Sequence, residues 1–278
     1  MLTKQSPVVS VVKAVILSIW LVITLFPLYW ILITSFKLPG AIAAFPLQYL
    51  PTTWTTENYV SLFTTSQFGT YVANSLLVGL VAASIGTAIA LLSAYVLARF
   101  EFRGKGTVML AFFATQMIPA FIALGPLYVM MVNLGLVDRK GGLIMLYIAG
   151  CIPFCTIMLR GFFENVPDAL EEAAMVDGCS RLSALIRVII PVMTPGILAA
   201  FIFNFVNCWN ELFLSVLLMN SDANKTIPTA LNGFISSFNI EWGPMAAASV
   251  LAVIPTMFLF AFASRYIVQG LTSGAVKG

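Results

Sequence analysis

The chain has 278 residues, of which 60% are hydrophobic and only 9% are charged, and its formal net charge is +3. Because a soluble domain carries roughly a quarter charged residues, this composition predicts a polytopic membrane protein, and the small charge indicates no nucleic-acid partner. Histidine is absent, which excludes histidine-based zinc sites, Ser-His-Asp hydrolases and histidine proton relays, and no metal site is expected.

Six segments of mostly apolar residues have the length that a bilayer demands of a helix, about 20 residues. They cover 12–35, 70–98, 107–131, 141–160, 194–219 and 243–265. The sequence therefore predicts an all-α membrane protein with six transmembrane helices in a single transmembrane domain, 1–278. The first segment is longer than the apolar core of a signal peptide, about 7–15 residues, so we expect it to remain as an uncleaved span.

The segments between the spans differ in positive charge, and Lys and Arg accumulate on the cytoplasmic side of membrane proteins. With both termini inside, ten of the 14 Lys and Arg residues lie on the cytoplasmic side. The other four lie outside: Lys37, Arg139, Lys140 and Lys225. This asymmetry predicts that both termini, the charged loop 161–193 and the tail 266–278 face the cytoplasm.

The second and third spans carry local signals. Small residues recur at every fourth position of the second span, at Ala82, Gly86, Ala90 and Ala94. Such a stripe predicts a face that packs closely on another helix. In the third span Pro119 and Pro126 predict kinks, as Pro255 does in the sixth. Gln116, close to Pro119, is a candidate pore-facing residue.

The charged loop predicts two short helices joined at a glycine, an object that cannot cross a bilayer. Pro167 suits the first turn of the first helix, and the acidic residues that follow suit its positive N-terminal end. Gly178 predicts a left-handed C-cap. Small alanines allow this helix to be buried in a groove of another protein, while Glu171 and Glu172 offer acceptors to a basic partner.

The second helix of the loop is predicted from Ser180, a suitable N-cap, to Pro191, which ends the helix and turns the chain toward the fifth span. One apolar stripe runs along it, formed by Leu182, Leu185, Ile186 and Ile189. Periodicity alone fits equally well an interfacial amphipathic helix that only flanks a span.

Polar residues inside the fifth span are the candidate solute contacts. Asn204, Asn207 and Glu211 share one helix face, and Asn210 lies beside them. An ionisable residue within a span indicates function by default. Two hypotheses remain open: a polar stripe along a water-filled path for hydroxyl-rich solutes, or hydrogen bonds that hold helices together.

The charged loop also matches a known pattern over about 20 residues. Glu172-Ala173-Ala174, Gly178 and then Val188, Ile190 and Pro191 resemble the EAA loop of ABC-importer permeases, with Val and Ile replacing the Ile and Leu of that pattern. In that family the loop docks onto the ATP-hydrolysing subunit. The resemblance implies that Glu172 pairs with an arginine of the ATPase and that Gly178 forms the turn. The implied coupling residues are Glu171, Glu172, Ala173, Ala174, Asp177, Gly178 and Pro191.

Three further segments narrow the resemblance to the carbohydrate-type permeases, specifically those similar to the maltose-transporter G subunit. They are Glu57-Asn58-Tyr59, Trp209-Asn210-Glu211 and the ending from Arg265. The implied fold is that of a type I ABC importer permease with a cytoplasmic coupling helix pair. By the same analogy the tail reaches the interface of two ATPase subunits through Gly274, Ala275, Val276, Lys277 and Gly278.

The resemblance implies a non-enzymatic permease subunit of an ATP-driven, binding-protein-dependent sugar importer in a bacterial or archaeal cytoplasmic (inner) membrane. The chain has no Gly-x-x-x-x-Gly-Lys-Ser/Thr loop, so ATP and Mg are expected on a partner ATPase and no cofactor on this chain. The implied partners are a second homologous permease, a dimer of ABC ATPase subunits, an extracytoplasmic solute-binding protein, the sugar and the lipid bilayer.

The alternative function is that of a secondary transporter, which moves a polar solute by an ion gradient. It needs an ion-coupling site within the membrane, and Glu211 is the only acidic residue deep in a predicted span. That alternative leaves the cytoplasmic helix pair unexplained.

Overall fold

The long apolar runs of the chain form helices, since a backbone in hydrocarbon must satisfy its own polar groups. The computed structural model describes residues 7–235 and 240–273. Within those ranges one isolated antiparallel bridge, between Ile235 and Ile240, accompanies the helices. The helices are α1 (Pro7–Ser35), α2 (Pro39–Ile42), α3 (Glu57–Thr64), α4 (Phe68–Arg99), α5 (Lys105–Met117), α6 (Ala120–Asn133), α7 (Lys140–Glu164), α8 (Asp168–Val176), α9 (Arg181–Ala184), α10 (Ile190–Asn210), α11 (Phe213–Leu218), α12 (Ile227–Gly233) and α13 (Trp242–Ser273).

Among the described residues, five helices are long and apolar enough to cross a membrane, and a sixth span results if the pair α5 and α6 counts as one. The prediction of an all-α membrane protein is confirmed. The pair is bent by 99°, where a single span over 107–131 was expected. The bend lies at Ile118, which is extended (φ −80°, ψ 119°), immediately before Pro119. A proline disfavours the helical conformation of the residue before it, so the chain breaks there. Pro126 and Pro255 lie inside α6 and α13.

The fifth predicted span, 194–219, differs from the structure at both ends. The helix begins earlier, and α10 stops at Asn210, where Glu211 is extended (φ −71°, ψ 118°). A short helix, α11, follows it. The expected position of Glu211 within a continuous helix is therefore wrong: it lies at a break between two helices.

Pro191 does not end a helix, contrary to the prediction. It lies in the first turn of α10, and the run Arg181–Asn210 is continuous because a π-helical turn, Leu185–Ile189, joins α9 to α10. A proline cannot donate to the usual ladder of hydrogen bonds, and a π turn is one way in which a helix accommodates such a local change. Pro167 also differs from its prediction: it is the N-cap of α8 and so precedes the first turn, in which it was expected to lie.

The chain forms two compact units. The first contains the residues up to Phe68 together with Gly233–Val253, and the second contains Gly69–Asn232 and the residues from Ile254.

In the first unit, Asn58 ties the end of α1 to α3. Its Nδ2 donates to the backbone oxygens of Ser35 (3.0 Å) and Lys37 (2.9 Å), and the Tyr59 hydroxyl lies 2.8 Å from Ser35 Oγ. A Cβ on Gly243 would lie 2.3 Å from Asn58 Oδ1, so α13 reaches this amide only because residue 243 has no side chain. The Glu57-Asn58-Tyr59 motif thus has a structural role.

In the second unit, α4 packs through its stripe of small residues. Ala82, Ala90 and Ala94 are fully buried, and a Cβ on Gly86 would lie 2.8 Å from the Cβ of Cys151 in α7. The predicted close-packing face is confirmed. Most of the buried side chains around it come from α4, α7 and α10, and the π-helical turn, α6 and α11 contribute others.

One loop contact in the second unit depends on Asp138, a residue with positive φ (55°). Its carboxylate accepts hydrogen bonds from the backbone N–H groups of Ser221 (3.0 Å) and Asn220 (2.9 Å). These bonds hold the pKa of Asp138 below its usual value, and the bond from Ser221 has the largest effect. They join the turn before α7 to the loop after α11.

Candidate functional site

The two adjacent glutamates of α8 point in different directions, Glu171 into the protein and Glu172 out of it. Successive residues of an α-helix point about 100° apart, and Glu171 is 5% exposed while Glu172 is exposed. Ala174 is buried, Ala173 is exposed and Val176 is 87% exposed. The outward side of α8 therefore carries Glu172, Ala173 and Val176, and we call these three residues the outer face of α8.

The carboxylate of Glu171 is occupied within the chain. It accepts a hydrogen bond from the Tyr95 hydroxyl, and its two oxygens lie 3.4 Å from Arg99 Nε and 3.7 Å from Arg181 Nε. Arg99 also pairs with Asp168 and donates to the backbone oxygen of Val166 at 2.8 Å. The expectation that Glu171 offers an acceptor to another protein is not supported by this geometry, because its acceptors point inward.

Gly178 ends α8 with φ +89°, the left-handed conformation that favours glycine. Cys179 N–H donates to the Ala174 oxygen (3.0 Å), and Gly178 N–H donates to the Met175 oxygen (3.1 Å). This is the Schellman pattern of a helix C-terminus. The Ser180 hydroxyl then accepts from Ser183 N–H at 3.3 Å. The predicted left-handed cap at Gly178 and the N-cap at Ser180 are confirmed.

The apolar stripe predicted for the second loop helix is divided between two environments. Leu185 and Ile189 are buried in the core around α4, whereas Leu182 and Ile186 remain exposed. The π-helical turn at Leu185–Ile189 changes the angular spacing of these positions, so the four residues no longer share one face.

A cavity of about 480 Å³ lies among α5, α7, α10 and α11. It collects four of the five residues predicted to line a solute path: Gln116, Asn204, Asn207 and Glu211. Asn210 is not among the lining residues, and its amide donates to the Val206 oxygen of its own helix at 2.9 Å. Tyr147 and the stacked rings of Phe154 and Phe203, whose centroids are 4.4 Å apart, complete the wall.

The polar lining residues differ in how far the fold already uses them. Asn204 Nδ2 donates to Thr87 Oγ1 at 3.0 Å, so this amide does hold two helices together. Among the described residues, no hydrogen bond involves the exposed side chain of Asn207. The inter-helix bond is thus observed for Asn204, and the solute-path hypothesis stays a prediction for Asn207, whose side chain lines the cavity.

Glu211 combines a structural and an electrostatic role. Its carboxylate accepts from the N–H groups of Leu214 (3.0 Å) and Ser215 (3.2 Å) at the start of α11, and from the Tyr147 hydroxyl (2.9 Å). It is the only charged side chain among the residues that line the cavity. The cavity thus presents amides, a phenol, aromatic rings and one negative charge.

Three contributing residues were missed from the sequence. Tyr95 and Arg99 hold α8, and Tyr147 faces Glu211. Arg99 offered a signal, since it is a charged residue at the end of an apolar span, but its partner is 72 positions away along the chain, counted from Arg99 to Glu171. The expected tail contacts, Gly274–Gly278, lie outside the described residues. In the described part of the chain, no group of three or more Cys, Asp or Glu residues is arranged to hold a metal ion.

Residues 86–273 match the family described as "Binding-protein-dependent transport system inner membrane component". The chain is 35% identical over 266 residues to the inner membrane ABC transporter permease protein YcjP of Escherichia coli, covering 94% of each chain. It is 39% identical over 268 residues to the diacetylchitobiose uptake system permease protein DasC of Streptomyces coelicolor, covering 96% of each. These matches confirm the resemblance to ABC-importer permeases.

A solved structure shares the fold. It is a bacterial ABC transporter involved in the import of the acidic polysaccharide alginate, with a TM-score of 0.81 and 21% identity over 96% of this chain and 99% of that one.

Proposed function

The chain belongs to the family of binding-protein-dependent transport system inner membrane components, and from that membership we propose that it is the permease subunit of an ATP-driven sugar importer. The observation that carries the proposal is the outer face of α8. A short helix between two apolar spans presents Glu172, Ala173 and Val176 outward while its other side is anchored inside the chain. This outward surface, with the exposed Val176 beside the Glu172 carboxylate, is the part of α8 that remains for contact with a partner protein.

The partner of this surface is an ATPase dimer that carries ATP and Mg, since the chain itself has no phosphate-binding loop. Both termini and α8 face the cytoplasm, in agreement with the distribution of Lys and Arg. Glu172 pairs with an arginine of the ATPase, Ala173 and Asp177 contact it, and Gly178 sets the bend into α9. The tail, Gly274–Gly278, reaches the ATPase interface. Chemistry on ATP belongs to the partner, so this chain is not an enzyme.

The cavity among α5, α7, α10 and α11 forms this chain's half of the translocation path. A second homologous permease supplies the other half, and an extracytoplasmic solute-binding protein delivers the sugar. The family description supports the second of these partners to the extent that it names a binding-protein-dependent system. Amides such as Asn207 and Gln116 suit hydroxyl groups, and the rings of Phe154 and Phe203 suit the apolar faces of a sugar. Closure of the ATPase dimer moves α8 and alternates access to the path.

The ion-gradient alternative has less support. It relies on Glu211 as its coupling site, yet that carboxylate already accepts hydrogen bonds from Leu214, Ser215 and Tyr147. An ion would have to compete with these donors.

The test follows ATPase association and uptake together. We expect Glu172→Ala to reduce co-purification of the ATPase and ATP-dependent sugar uptake into proteoliposomes by at least about tenfold, as loss of a charged interface contact predicts. Diacetylchitobiose, the sugar named for the relative DasC, is the first sugar to assay. Glu101→Ala, at another exposed acid on the same expected side, is the matched control. Uptake that survives Glu172→Ala unchanged, or that needs only an ion gradient, would contradict the proposal.

A further inference from the structure

We propose that Glu171 is a positioning residue that links α8 to the cytoplasmic end of α4, so that a displacement of α8 is passed into the membrane span. The inference rests on the proposed function, because it assumes that an ATPase displaces α8. It assigns the two adjacent glutamates different roles: Glu172 contacts the ATPase, and Glu171 transmits its movement.

The contacts of Glu171 converge from two other helices. Tyr95 and Arg99 come from the last turns of α4, and Arg181 comes from the first turn of α9. Glu171 is 5% exposed, Tyr95 is 7% exposed and the Arg99 side chain is 9% exposed. One carboxylate therefore joins three helices: its contacts to α4 are buried, whereas Arg181 of α9 is 50% exposed.

Arg99 contacts the start of α8 at more than one point. Its guanidinium pairs with Asp168 and donates to the Val166 backbone oxygen at 2.8 Å. Its Nε lies 3.4 Å from the Glu171 carboxylate, an ion pair in which Nε makes no hydrogen bond. The far side of the cluster is closed by Phe100, whose ring lies 4.9 Å from the Arg181 guanidinium and 5.8 Å from the Tyr95 ring. The first turn of α8 is thus held to α4 through polar bonds with defined directions.

Such a link transmits motion better than apolar packing does. Separating one partner of a buried ion pair leaves an uncompensated charge, which costs far more than sliding one apolar surface over another. We therefore expect α8 and the end of α4 to move together. The outer face of α8 takes no part in this link, since Glu172, Ala173 and Val176 point away from it.

The test measures how two segments respond to nucleotide. Amide hydrogen exchange is followed by mass spectrometry on the whole complex in nanodiscs, without nucleotide and with ATP, Mg²⁺ and vanadate. In the unaltered complex we expect both α8 and the last turns of α4 to respond. In Glu171→Gln we expect α8 to keep its response and the response of α4 to fall by about tenfold, because the neutral amide still accepts from Tyr95 but no longer pairs with the Arg99 charge. Glu101→Gln is the control with both responses intact.

A second variant, Tyr95→Phe, provides the same test if the Glu171→Gln complex does not assemble. Tyr95→Phe removes only the hydroxyl and keeps the ring against Phe163, 5.6 Å away between centroids, and we expect it to weaken the α4 response by a smaller factor. A normal α4 response in both variants would overturn the proposal. So would loss of the α8 response itself while the ATPase stays bound, because Glu171 would then shape the docking surface. If the unaltered complex contains no ATPase, it is instead the proposed function that fails.

Discussion

At the scale of single residues, the absence of a side chain decides how closely α4 and α7 approach. Gly86 faces Cys151, and a Cβ at that position would lie 2.8 Å from the Cys151 Cβ. Gly161, in the last part of α7, has open space around the corresponding position. The same substitution at these two glycines therefore has opposite physical consequences.

We predict that Gly86→Ala destabilises the chain by about 1–3 kcal/mol, since two helices must separate to admit one methyl group. Gly161→Ala should be neutral or stabilising by up to about 1 kcal/mol, because alanine favours a helix interior over glycine. The melting temperatures of the two variants in detergent check this. A Gly86→Ala variant as stable as Gly161→Ala would contradict the packing at this contact.

At the scale of elements, the junction between α8 and α9 determines the direction of the outer face of α8. The junction depends on the Schellman cap at Gly178 and on the Ser180 hydroxyl. Two further interruptions shape the same unit, the π-helical turn before Pro191 and the break at Glu211. Each of them redirects side chains that a regular helix would align.

We predict that Gly178→Ala weakens ATPase co-purification by roughly tenfold, because a Cβ in the left-handed conformation costs about 1–2 kcal/mol and the junction relaxes away from it. Gly178→Asn should retain most of the association, since asparagine tolerates positive φ better than alanine. Quantitative pull-down of the ATPase measures both. Equal binding by the two variants would show that the conformation of residue 178 does not set the docking surface.

At the scale of the whole molecule, one cavity brings together α5, α7, α10 and α11. Asn207 and Asn210 belong to the same helix, but only Asn207 faces the cavity, while Asn210 bonds to its own backbone. The pair separates an amide that lines the cavity from one whose observed hydrogen bond is local.

We predict that Asn207→Leu lowers uptake by about tenfold or more with the complex still assembled, because a free amide that serves the solute is replaced by an apolar group. Asn210→Leu should leave uptake within about twofold. Transport into proteoliposomes, normalised to the amount of ATPase that co-purifies, gives the comparison. A larger loss in Asn210→Leu than in Asn207→Leu would contradict the assignment of the path.

Much of the fold was predictable because the signals are local. Length and hydropathy predicted the apolar helices, the Ala82–Ala94 stripe predicted its packing face, and Gly178 and Ser180 predicted their caps. The candidate path residues Asn204, Asn207 and Glu211 were identified from residue type and helical spacing, and Gln116 from its position close to Pro119. Asn210 was assigned with them because it is adjacent in sequence. In the structure it is not among the residues that line the cavity, and its amide donates to the Val206 oxygen.

What the sequence by itself determined is the class of the molecule: a helical membrane protein with a short surface helix between two spans, identified by composition, length and the local signals from Pro167 to Gly178. Only the tertiary structure decided which of two adjacent glutamates faces inward. That choice depends on Tyr95 and Arg99, which lie more than 70 positions earlier in the chain. A contact between distant positions leaves no periodic trace in either segment, so the division of roles between Glu171 and Glu172 emerges only when α4 and α8 are packed together.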